Sequence, residues 1–483
     1  MDLKARHDRA ADSLHEHGQS HLLRFWDELD EAGRARLLAD IEQLDLEQIA
    51  RLIDSHVRAA PVLKLPDRIE PPPILPNEPA GETQARRYAE AWALGEQLVR
   101  DGRVACLTVA GGQGTRLGFD GPKGAMPVTP IRHKPLFQVF AEQIRNAQGL
   151  YDVRLNWLIM TSPANDSATR QFFAANSHFG LDADQVTFFT QGVMPAMDTS
   201  GHILLAAKDR LALAPDGHGG TLRAIHRSGT LDRVADAGVT VLSYFQVDNP
   251  LVHPVDPLFI GLHAQERSQI SSKTIPKASP TERVGNFCVA DGRLTVIEYS
   301  DLPDELAHAA GPDGGRLFDA GSIAIHLFDV DFVRGLNRGG FALPLHRAAK
   351  KVAFVDEAGR LVEPAEPNGV KLETFIFDAL PLADRTMVYQ TRRDEEFAPV
   401  KNAGGADSLA TSQAAMVARA ARWLEAGGVF VPDCRKTEME TVIEISPLLA
   451  DSAEQLAEAI DPAAIKIGPC GKLYLGPGET HVG

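Results

Sequence analysis

The residues best suited to chemistry lie in a glycine-rich stretch, GGQGTRLGFDGPKG, at residues 111–124. Its first three glycines let the backbone turn sharply and approach a ligand that a Cβ atom would keep away. Two cations, Arg116 and Lys123, follow directly. Backbone N–H groups beside cations suit a polyphosphate, because the amides supply hydrogen bonds and the cations supply charge. A plain glycine turn with surface cations is the alternative, and the Arg, Pro and Lys behind the glycines favour phosphate.

A candidate metal ligand, Asp248, stands at the end of the longest apolar strand candidate, VTVLSYFQVDN at residues 239–249. A carboxylate at the carboxyl end of a buried strand can hold Mg²⁺ together with substrate phosphates. An Asn-Pro turn in which Asp248 serves as a local cap explains the same residues equally well. Both interpretations stay open on this segment alone.

A third polar loop, APDGHGG at residues 214–220, contains three glycines and is too permissive for the interior of a helix or strand. It predicts either a simple turn or a backbone wall that contacts a flat base or a sugar.

The elements around these loops alternate between strand and helix. Short apolar runs predict strands at residues 104–110, 154–162 and 186–191, and helical periodicity lies between them at 136–148 and 167–180. This alternation predicts an α/β fold with a parallel sheet covered by helices. Ligands of such sheets bind beyond the carboxyl ends of the strands, where the glycine-rich stretch and Asp248 are expected.

The two ends of the chain differ from this α/β pattern. Residues 1–58 predict helices, and seven prolines at 61–79 predict an extended strap, so residues 1–95 form an N-terminal segment. Residues 96–400 are predicted to be the catalytic domain. Residues 401–483 predict a small, partly β domain with a helix at 408–426 and strands in VFVPD (429–433), TVIEIS (441–446) and KLYLG (472–476).

Composition excludes several classes of function. The formal net charge of −16 argues against a nucleic-acid partner, which would need a cationic surface. No apolar run is long enough to cross a bilayer, and the charged start has no signal-peptide core. The four cysteines are scattered, which predicts neither a disulfide framework nor a zinc site. These features lead us to expect a cytoplasmic protein.

Two nucleotide-binding motifs can be tested against the same glycines. A nicotinamide-cofactor site would need an acidic residue at a strand end about twenty positions later. The sequence there is PKGAMPVTPIRHKPL, which is basic and interrupted by proline, so the dehydrogenase interpretation fails. No GK[ST] follows the glycines, so the loop is not a Walker A motif either.

The chain resembles the nucleotide-sugar pyrophosphorylases, specifically the eukaryotic-type UDP-N-acetylhexosamine pyrophosphorylases, in many segments that occur in the family's order. The glycine-rich stretch carries the resemblance first. The other matching segments are GQSHLLRFWDEL, QGVMPAM, APDGHGG, FQVDNPLV, PTERVGNF, VIEYSDL, NGVKLETFIFD and RRDEEFAPVKNA.

The resemblance implies a Rossmann-like, GT-A-like nucleotidyltransferase fold whose mixed sheet is flanked by helices. It also implies transfer of a uridylyl group from UTP to a hexose 1-phosphate with Mg²⁺, held by Asp248. The implied catalytic residues are Arg116, Lys123 and Lys401. The implied UTP-binding residues are Ala110, Gly111, Gly112, Gly114, Thr115, Gln191, Gly217 and His218, the last standing where the family more often has Asn. The implied sugar-binding residues are Gly285, Glu298, Tyr299, Ser322, Lys371, Phe375 and Phe377.

This chemistry needs no general base, because the attacking sugar phosphate is already an anion. Catalysis then consists of aligning two anions and neutralising their charge. The aromatic pair Phe375 and Phe377 favours N-acetylglucosamine 1-phosphate, whereas Ser322, where acetamido-binding members carry Asn, keeps glucose 1-phosphate or a broad sugar range open. A non-catalytic binder of nucleotide sugars is a further alternative, and the retained set of Arg116, Lys123, Asp248 and Lys401 argues against it.

Overall fold

The computed structural model describes residues 2–59, 66, 68–312, 314–341, 343–432, 441–467 and 471–482. The chain divides into two compact units that are each built from three separate segments. Unit 1 comprises Met1–Pro66, Gln191–Arg223 and Ala342–Ala379, and unit 2 comprises Asp67–Thr190, Ala224–Phe341 and Leu380–Gly483. The N-terminal helices therefore share a unit with two stretches from the middle of the chain.

The helices of the described residues are α1 (Leu3–Glu16), α2 (Glu31–Glu42), α3 (Leu46–Leu52), α4 (Glu82–Arg100), α5 (Leu136–Tyr151), α6 (Asp166–Ala175), α7 (Gly220–Arg227), α8 (Thr230–Asp236), α9 (Pro257–Gln265), α10 (Asp304–Ala307), α11 (Val330–Leu336), α12 (Arg393–Glu396), α13 (Leu409–Ala426) and α14 (Ala453–Ala459). A π-helical turn covers Ile53–Arg58, and 3₁₀ turns cover Ser20–Leu23, Trp26–Glu28, Thr115–Leu117, Lys123–Ala125, Ser177–Gly180, Ile376–Leu382 and Pro462–Ala464.

The strands are β1 (Ile69–Glu70), β2 (Val104–Val109), β3 (Asn156–Thr161), β4 (Val186–Thr190), β5 (Val193–Pro195), β6 (Met197–Asp198), β7 (Leu205–Ala207), β8 (Arg210–Leu211), β9 (Leu213–Pro215), β10 (Val241–Gln246), β11 (Ile270–Pro276), β12 (Asn286–Ala290), β13 (Arg293–Ile297), β14 (Ala320–Asp329), β15 (His346–Lys350), β16 (Phe354–Val355), β17 (Leu361–Val362), β18 (Gly369–Glu373), β19 (Thr386–Gln390), β20 (Val442–Ile445), β21 (Lys472–Gly476) and β22 (Glu479–Val482).

Unit 2 is organised around a ten-stranded mixed sheet with the order β1-β12-β14-β10-β2-β3-β4 and further strands off this path. Strands β10, β2, β3 and β4 run parallel, as the alternating sequence pattern predicts. Strand β14 pairs antiparallel with β10, so the sheet is mixed. The expected α/β class with helices flanking a mixed sheet is therefore confirmed.

The central strands are almost uniformly apolar because helices cover both faces of such a sheet. Helices α4 and α9 pack backbone against backbone on unit 2: a Cβ on Gly95 would lie 1.8 Å from the Pro257 carbonyl oxygen, and one on Gly261 would lie 1.7 Å from the Ala91 carbonyl oxygen. A side chain at either glycine would force the helices apart. This tight packing fixes the scaffold that carries the loops at the sheet edge.

The C-terminal part of unit 2 holds a small sheet, β20-β21-β22, which shares an apolar core with α13 and α14. The predicted strands at 441–446 and 472–476 are confirmed as β20 and β21. The predicted strand in VFVPD is wrong over residues 429–432, while Asp433 lies outside the described residues. These residues end helix α13 instead: the Val429 N–H bonds to the Leu424 carbonyl after Gly428 takes a φ of +85°.

Unit 1 packs its N-terminal helices on strands contributed by later segments. Its core joins Leu14, Leu22 and Leu38 to Met197 and Val370, all fully buried or nearly so. Caps define the helix starts, since the carboxylates of Asp30 and Asp45 accept hydrogen bonds from the Gly33 and Gln48 N–H groups. The predicted N-terminal helices are confirmed.

Across both units, no helix in the described part of the chain is long and apolar enough to cross a membrane.

Candidate active site

The two loops predicted to do chemistry leave neighbouring parallel strands at the same level. In the register of β2 and β10, Val109 lies opposite Gln246. Gly111 and Asp248 each follow two residues later, so both stand at the carboxyl edge of unit 2's sheet.

The glycine-rich loop is folded back on itself by backbone hydrogen bonds. The Lys123 N–H bonds to the Gly112 carbonyl at 3.1 Å, and the Gly114 N–H bonds to the Gly121 carbonyl at 2.9 Å. A Cβ on Gly114 would lie 2.8 Å from Phe119, whereas one on Gly112 would meet no atom within 4 Å. Gly114 is therefore needed for packing, while the backbone at Gly112 has open space beside it that suits a ligand.

Two side chains after β3, neither of them predicted from the sequence, hold this loop. The Asn165 amide donates to the Ala110 carbonyl at 2.9 Å and to the Gly112 carbonyl at 3.2 Å. The Ser162 hydroxyl donates to the Gly111 carbonyl at 2.8 Å. Ala110 is buried, and Thr115 is exposed at the start of the next turn. The signal was a Ser-x-x-Asn turn directly after a buried strand.

Lys123 and Asp248 form an ion pair at this edge, with Nζ 3.0 Å from Oδ2. Both side chains are mostly buried, with exposed fractions of 15% and 13%. Both residues are predicted from the sequence to belong to one site, and the structure places them in direct contact.

Two further cations stand near the same loops without an acidic partner. Within the described chain, no carboxylate lies within 4.0 Å of the Arg116 guanidinium or of the Lys401 ammonium. Arg116 is exposed on the glycine-rich loop. Lys401 follows Val400, whose N–H bonds to the Asp248 carbonyl at 2.8 Å, and its Nζ lies 5.7 Å from the centre of the Phe397 ring. Unpaired cations of this kind are available to an anionic ligand.

Three of the predicted sugar-binding residues lie together in unit 2. The Ser322 N–H bonds to the Gly285 carbonyl at 2.8 Å, and a Cβ on Gly285 would lie 3.8 Å from both Glu298 Oε1 and Ser322 Cβ. Tyr299 follows and is 46% exposed. Strand β14 runs antiparallel to β10, so its Ser322 end points to the edge where Asp248 lies.

The remaining predicted residues belong to unit 1, where Gln191 and Gly217 are in contact. The Gln191 amide donates to the Gly217 carbonyl at 2.7 Å. Gly217 has a φ of +87°, and a Cβ there would lie 2.3 Å from the Thr374 carbonyl oxygen. Only glycine fits this position, because the chain passes directly against the Thr374 backbone.

His218 is held as a neutral imidazole in an aromatic stack. Its Nδ1 accepts a hydrogen bond from the Ile376 N–H at 3.1 Å, and its ring stacks on Phe375 and meets Phe377 edge-on. Burial, with a smaller effect from His346, lowers the pKa of His218 to about 4. Nδ1 is thus an acceptor, and Nε2 carries the proton and can donate to a ligand.

Two residues that were not predicted from the sequence support this stack: His346 packs against Phe375, and Asp378 accepts hydrogen bonds beside it. The His346 ring lies 4.5 Å from the Phe375 ring, and its Nε2 lies 2.7 Å from Asp378 Oδ2. The Phe375 N–H donates to the same carboxylate oxygen at 3.2 Å. Lys371 stands nearby in sequence on β18, opposite Ala348 of β15.

Comparison with known proteins identifies the family. The family described as UTP–glucose-1-phosphate uridylyltransferase matches residues 78–455. The chain belongs to this family.

Individual relatives, including one of known structure, extend the match over nearly the whole chain. The chain is 36% identical over 482 residues to the UDP-N-acetylhexosamine pyrophosphorylase-like protein 1 of Xenopus tropicalis, covering 96% of this chain and 91% of that protein. It is 35% identical over 385 residues to the UDP-N-acetylglucosamine pyrophosphorylase of Saccharomyces cerevisiae, covering 77% and 79%. The crystal structure of the uridine diphosphate N-acetylglucosamine pyrophosphorylase of Trypanosoma brucei superposes with a TM-score of 0.81 at 29% identity, covering 95% of both chains. The family predicted from the sequence, and an enzyme of the uridylyltransferase class, are thereby confirmed.

Proposed function

We propose that this member of the family transfers the uridylyl group of UTP to N-acetylglucosamine 1-phosphate, forming UDP-N-acetylglucosamine and pyrophosphate. The observation that supports this most directly is the Lys123–Asp248 pair, which lies at the carboxyl edge of the sheet beside an open glycine loop. The names of the Xenopus, yeast and trypanosome relatives support the same reaction.

The reaction joins two anions, so charge is the main obstacle. A phosphate oxygen of the sugar 1-phosphate forms a bond to the α-phosphorus of UTP, the bond from that phosphorus to the bridging oxygen breaks, and pyrophosphate leaves. No proton has to be removed from the nucleophile. Arg116, Lys123 and Lys401 would neutralise the phosphates, and the backbone of Gly111, Gly112 and Gly114 would approach them closely.

The donor set at this edge fits a magnesium ion that is shared with substrate. No group of three His, Cys, Asp or Glu side chains that could cage a metal occurs among the residues described. One carboxylate with substrate phosphates is a usual arrangement for Mg²⁺. The Asp248 carboxylate already faces a cation, the Lys123 ammonium, in this structure. When bound there, Mg²⁺ would supply positive charge to the phosphate oxygens.

The unit 1 residues are proposed to recognise the nucleoside and the sugar. Gln191, Gly217 and His218 would contact uracil and ribose, with Nε2–H of His218 as a donor. Lys371, Phe375 and Phe377 would contact the sugar. In unit 2, Gly285, Glu298, Tyr299 and Ser322 would read the sugar hydroxyls.

Glucose 1-phosphate is the second candidate substrate, and Ser322 is the observation that favours it. Its side chain is shorter than the asparagine expected of acetamido-binding members. It lies beside Gly285, among the residues proposed to contact the sugar hydroxyls. The family description itself names glucose 1-phosphate.

Pyrophosphate release from UTP and Mg²⁺ with each sugar 1-phosphate in turn tests the proposal. We expect N-acetylglucosamine 1-phosphate to give the highest kcat/KM. A higher kcat/KM with glucose 1-phosphate would reassign the substrate. No turnover with any sugar, combined with saturable binding of a UDP-sugar, would show a binding protein instead.

A further inference from the structure

The segment that leads into Lys401 is fastened to the end of strand β10 by one side chain, Asn249. Its amide Nδ2 donates to the Glu396 carbonyl at 2.6 Å, and its Oδ1 accepts from the Ala398 N–H at 3.1 Å. Asn249 is 4% exposed, so neither bond competes with bulk water. Both hydrogen-bonding ends of the amide thereby reach the same stretch of backbone, and Oδ1 also accepts a longer bond from the Leu251 N–H at 3.4 Å.

The residue before Asn249 adds a third bond to the same segment. The Asp248 carbonyl accepts from the Val400 N–H at 2.8 Å. Together these bonds attach residues 396–400 to the pair Asp248 and Asn249 as a short ladder of the kind that joins strands. Lys401 begins where the ladder ends, and its own N–H bonds to the Asp407 carbonyl across a tight loop.

The start of the ladder is anchored in the interior by charge. The Lys273 ammonium, on a side chain only 1% exposed, pairs with the carboxylates of Glu396 and Asp256, the latter at 2.5 Å. The buried Arg419 guanidinium donates to the Leu251 and Glu395 carbonyls, one on each side of the ladder. A buried charge that loses its partner is costly, so this end of the segment is held firmly. The freedom that remains to Lys401 is therefore controlled by the bonds closer to it.

We propose that Asn249 is a positioning residue that acts on the reaction through Lys401, by fixing residues 396–400 against the strand end that bears Asp248. The inference rests on the proposed function, since it assigns Lys401 to the phosphates. Because both ends of its amide bond to backbone, Asn249 is not expected to contact substrate itself. Its bonds set the distance between the Asp248 carboxylate and the Lys401 ammonium. A catalytic group that is displaced lowers the rate even when the group itself is retained.

A double-mutant cycle tests this coupling. Asn249→Ala is expected to lower kcat about 30-fold while KM for UTP changes less than about threefold, because transition-state charge neutralisation is lost more than binding. In the Lys401→Ala background the same change is expected to cost less than about threefold, because Asn249 then has no lysine to position. If Asn249→Ala lowers kcat by the same factor in the wild-type and Lys401→Ala backgrounds, the proposal is overturned.

Two further measurements keep the test independent of folding and of the reaction. Asn249→Ser, which retains a short hydrogen-bonding group, is expected to recover part of the lost kcat, and it serves as the variant if Asn249→Ala does not fold. Trypsin is expected to cut after Lys401 about tenfold faster in Asn249→Ala and by a smaller factor in Asn249→Ser, measured by mass spectrometry without substrate. An unchanged rate of cutting would show that the ladder does not depend on Asn249. This conclusion would hold whichever sugar 1-phosphate the enzyme uses.

The matched control is Asn337→Ala, which removes a side-chain hydrogen bond to the Val333 carbonyl at the end of α11. Its kcat and its rate of cutting after Lys401 should equal those of the wild type. If the wild type itself releases no pyrophosphate with any sugar, the proposed function fails, and the proteolysis result still decides whether Asn249 holds the segment.

Discussion

Nζ of Lys123 lies 3.0 Å from Oδ2 of Asp248, across 125 residues of sequence. The two groups proposed to serve the phosphates and the metal therefore neutralise each other in this structure. A divalent cation held by Asp248, as proposed, would compete with this ammonium for the carboxylate and would leave Lys123 to the phosphates. Such competition would connect metal binding to the position of the lysine proposed to act on the phosphates.

Lys123→Ala is expected to have opposite effects on metal binding and on turnover. Without nucleotide, Mn²⁺ should bind several-fold more tightly, because Asp248 loses its competing cation; paramagnetic resonance of free Mn²⁺ measures this. The kcat should fall by about 10²- to 10³-fold, the usual cost of removing a group that stabilises transition-state charge. Lys208→Ala, which removes an ion pair with Glu28 and a cation–π contact with Phe25 in unit 1, is the control. Weaker Mn²⁺ binding in the Lys123 variant would contradict the competition.

Asp248→Asn is expected to raise the Mg²⁺ concentration needed for half-maximal activity at least tenfold. The amide keeps the size of the side chain but removes the negative charge that a hard cation prefers. Titration of initial rates with Mg²⁺ at saturating UTP gives the value. An unchanged Mg²⁺ requirement would place the metal elsewhere.

Asn165→Ala is expected to raise KM for UTP about tenfold. The change removes two hydrogen bonds to the glycine loop, each worth about 1 kcal/mol, so the loop loses its fixed shape before binding. Steady-state kinetics measures KM for UTP, and thermal unfolding measures the stability that is lost with the two bonds. Asn146→Ala, which loses one bond to the Pro447 carbonyl, should lower stability and leave KM unaltered.

His218 is expected to make stability depend on pH on the acid side of neutrality. Its pKa is about 4 in the folded chain, mainly through burial, and near 6.5 when unfolded. As the pH falls below about 6.5 the unfolded chain takes up this proton first, so stability is full above that pH and declines toward about 4. The loss of Tm between pH 7.5 and 5.0 should therefore be smaller in His218→Asn. His263, whose pKa burial also lowers to about 4, remains as a contribution common to both proteins. An identical loss in the two proteins would argue against a buried neutral His218.

Local sequence patterns predicted the central strands and the loops that are proposed to carry chemistry. Strand β2 and strand β10 are continuous apolar runs, and a parallel sheet brings their carboxyl ends together, so the proximity of Gly111 and Asp248 followed from a general rule. The glycines of residues 214–220 also predicted a loop, since they are too permissive for a helix or strand. The contact with the Thr374 backbone that requires glycine at position 217 was not predicted.

Local sequence patterns could not predict hydrogen-bond partners that are distant in sequence. Asn165 reads locally as a turn residue, and only the fold shows that its amide reaches Ala110 and Gly112. Asn249 reads as half of an Asn-Pro turn, yet its hydrogen bonds lie 147 and 149 residues away. The segment VFVPD has the composition of a strand, but Phe430 within it is 81% exposed and residues 429–432 pair with no strand.

The interleaving of unit 1 along the chain limits how the protein can be shortened. Helices α1 to α3 supply Leu14, Leu22 and Leu38 to the same core as Met197 and Val370. A fragment that starts after the proline strap would lack these helices. Met197 and Val370 would then be exposed to water, although they come from the middle of the sequence. Such a fragment should aggregate, and adding residues 1–66 back as a separate peptide should restore its solubility.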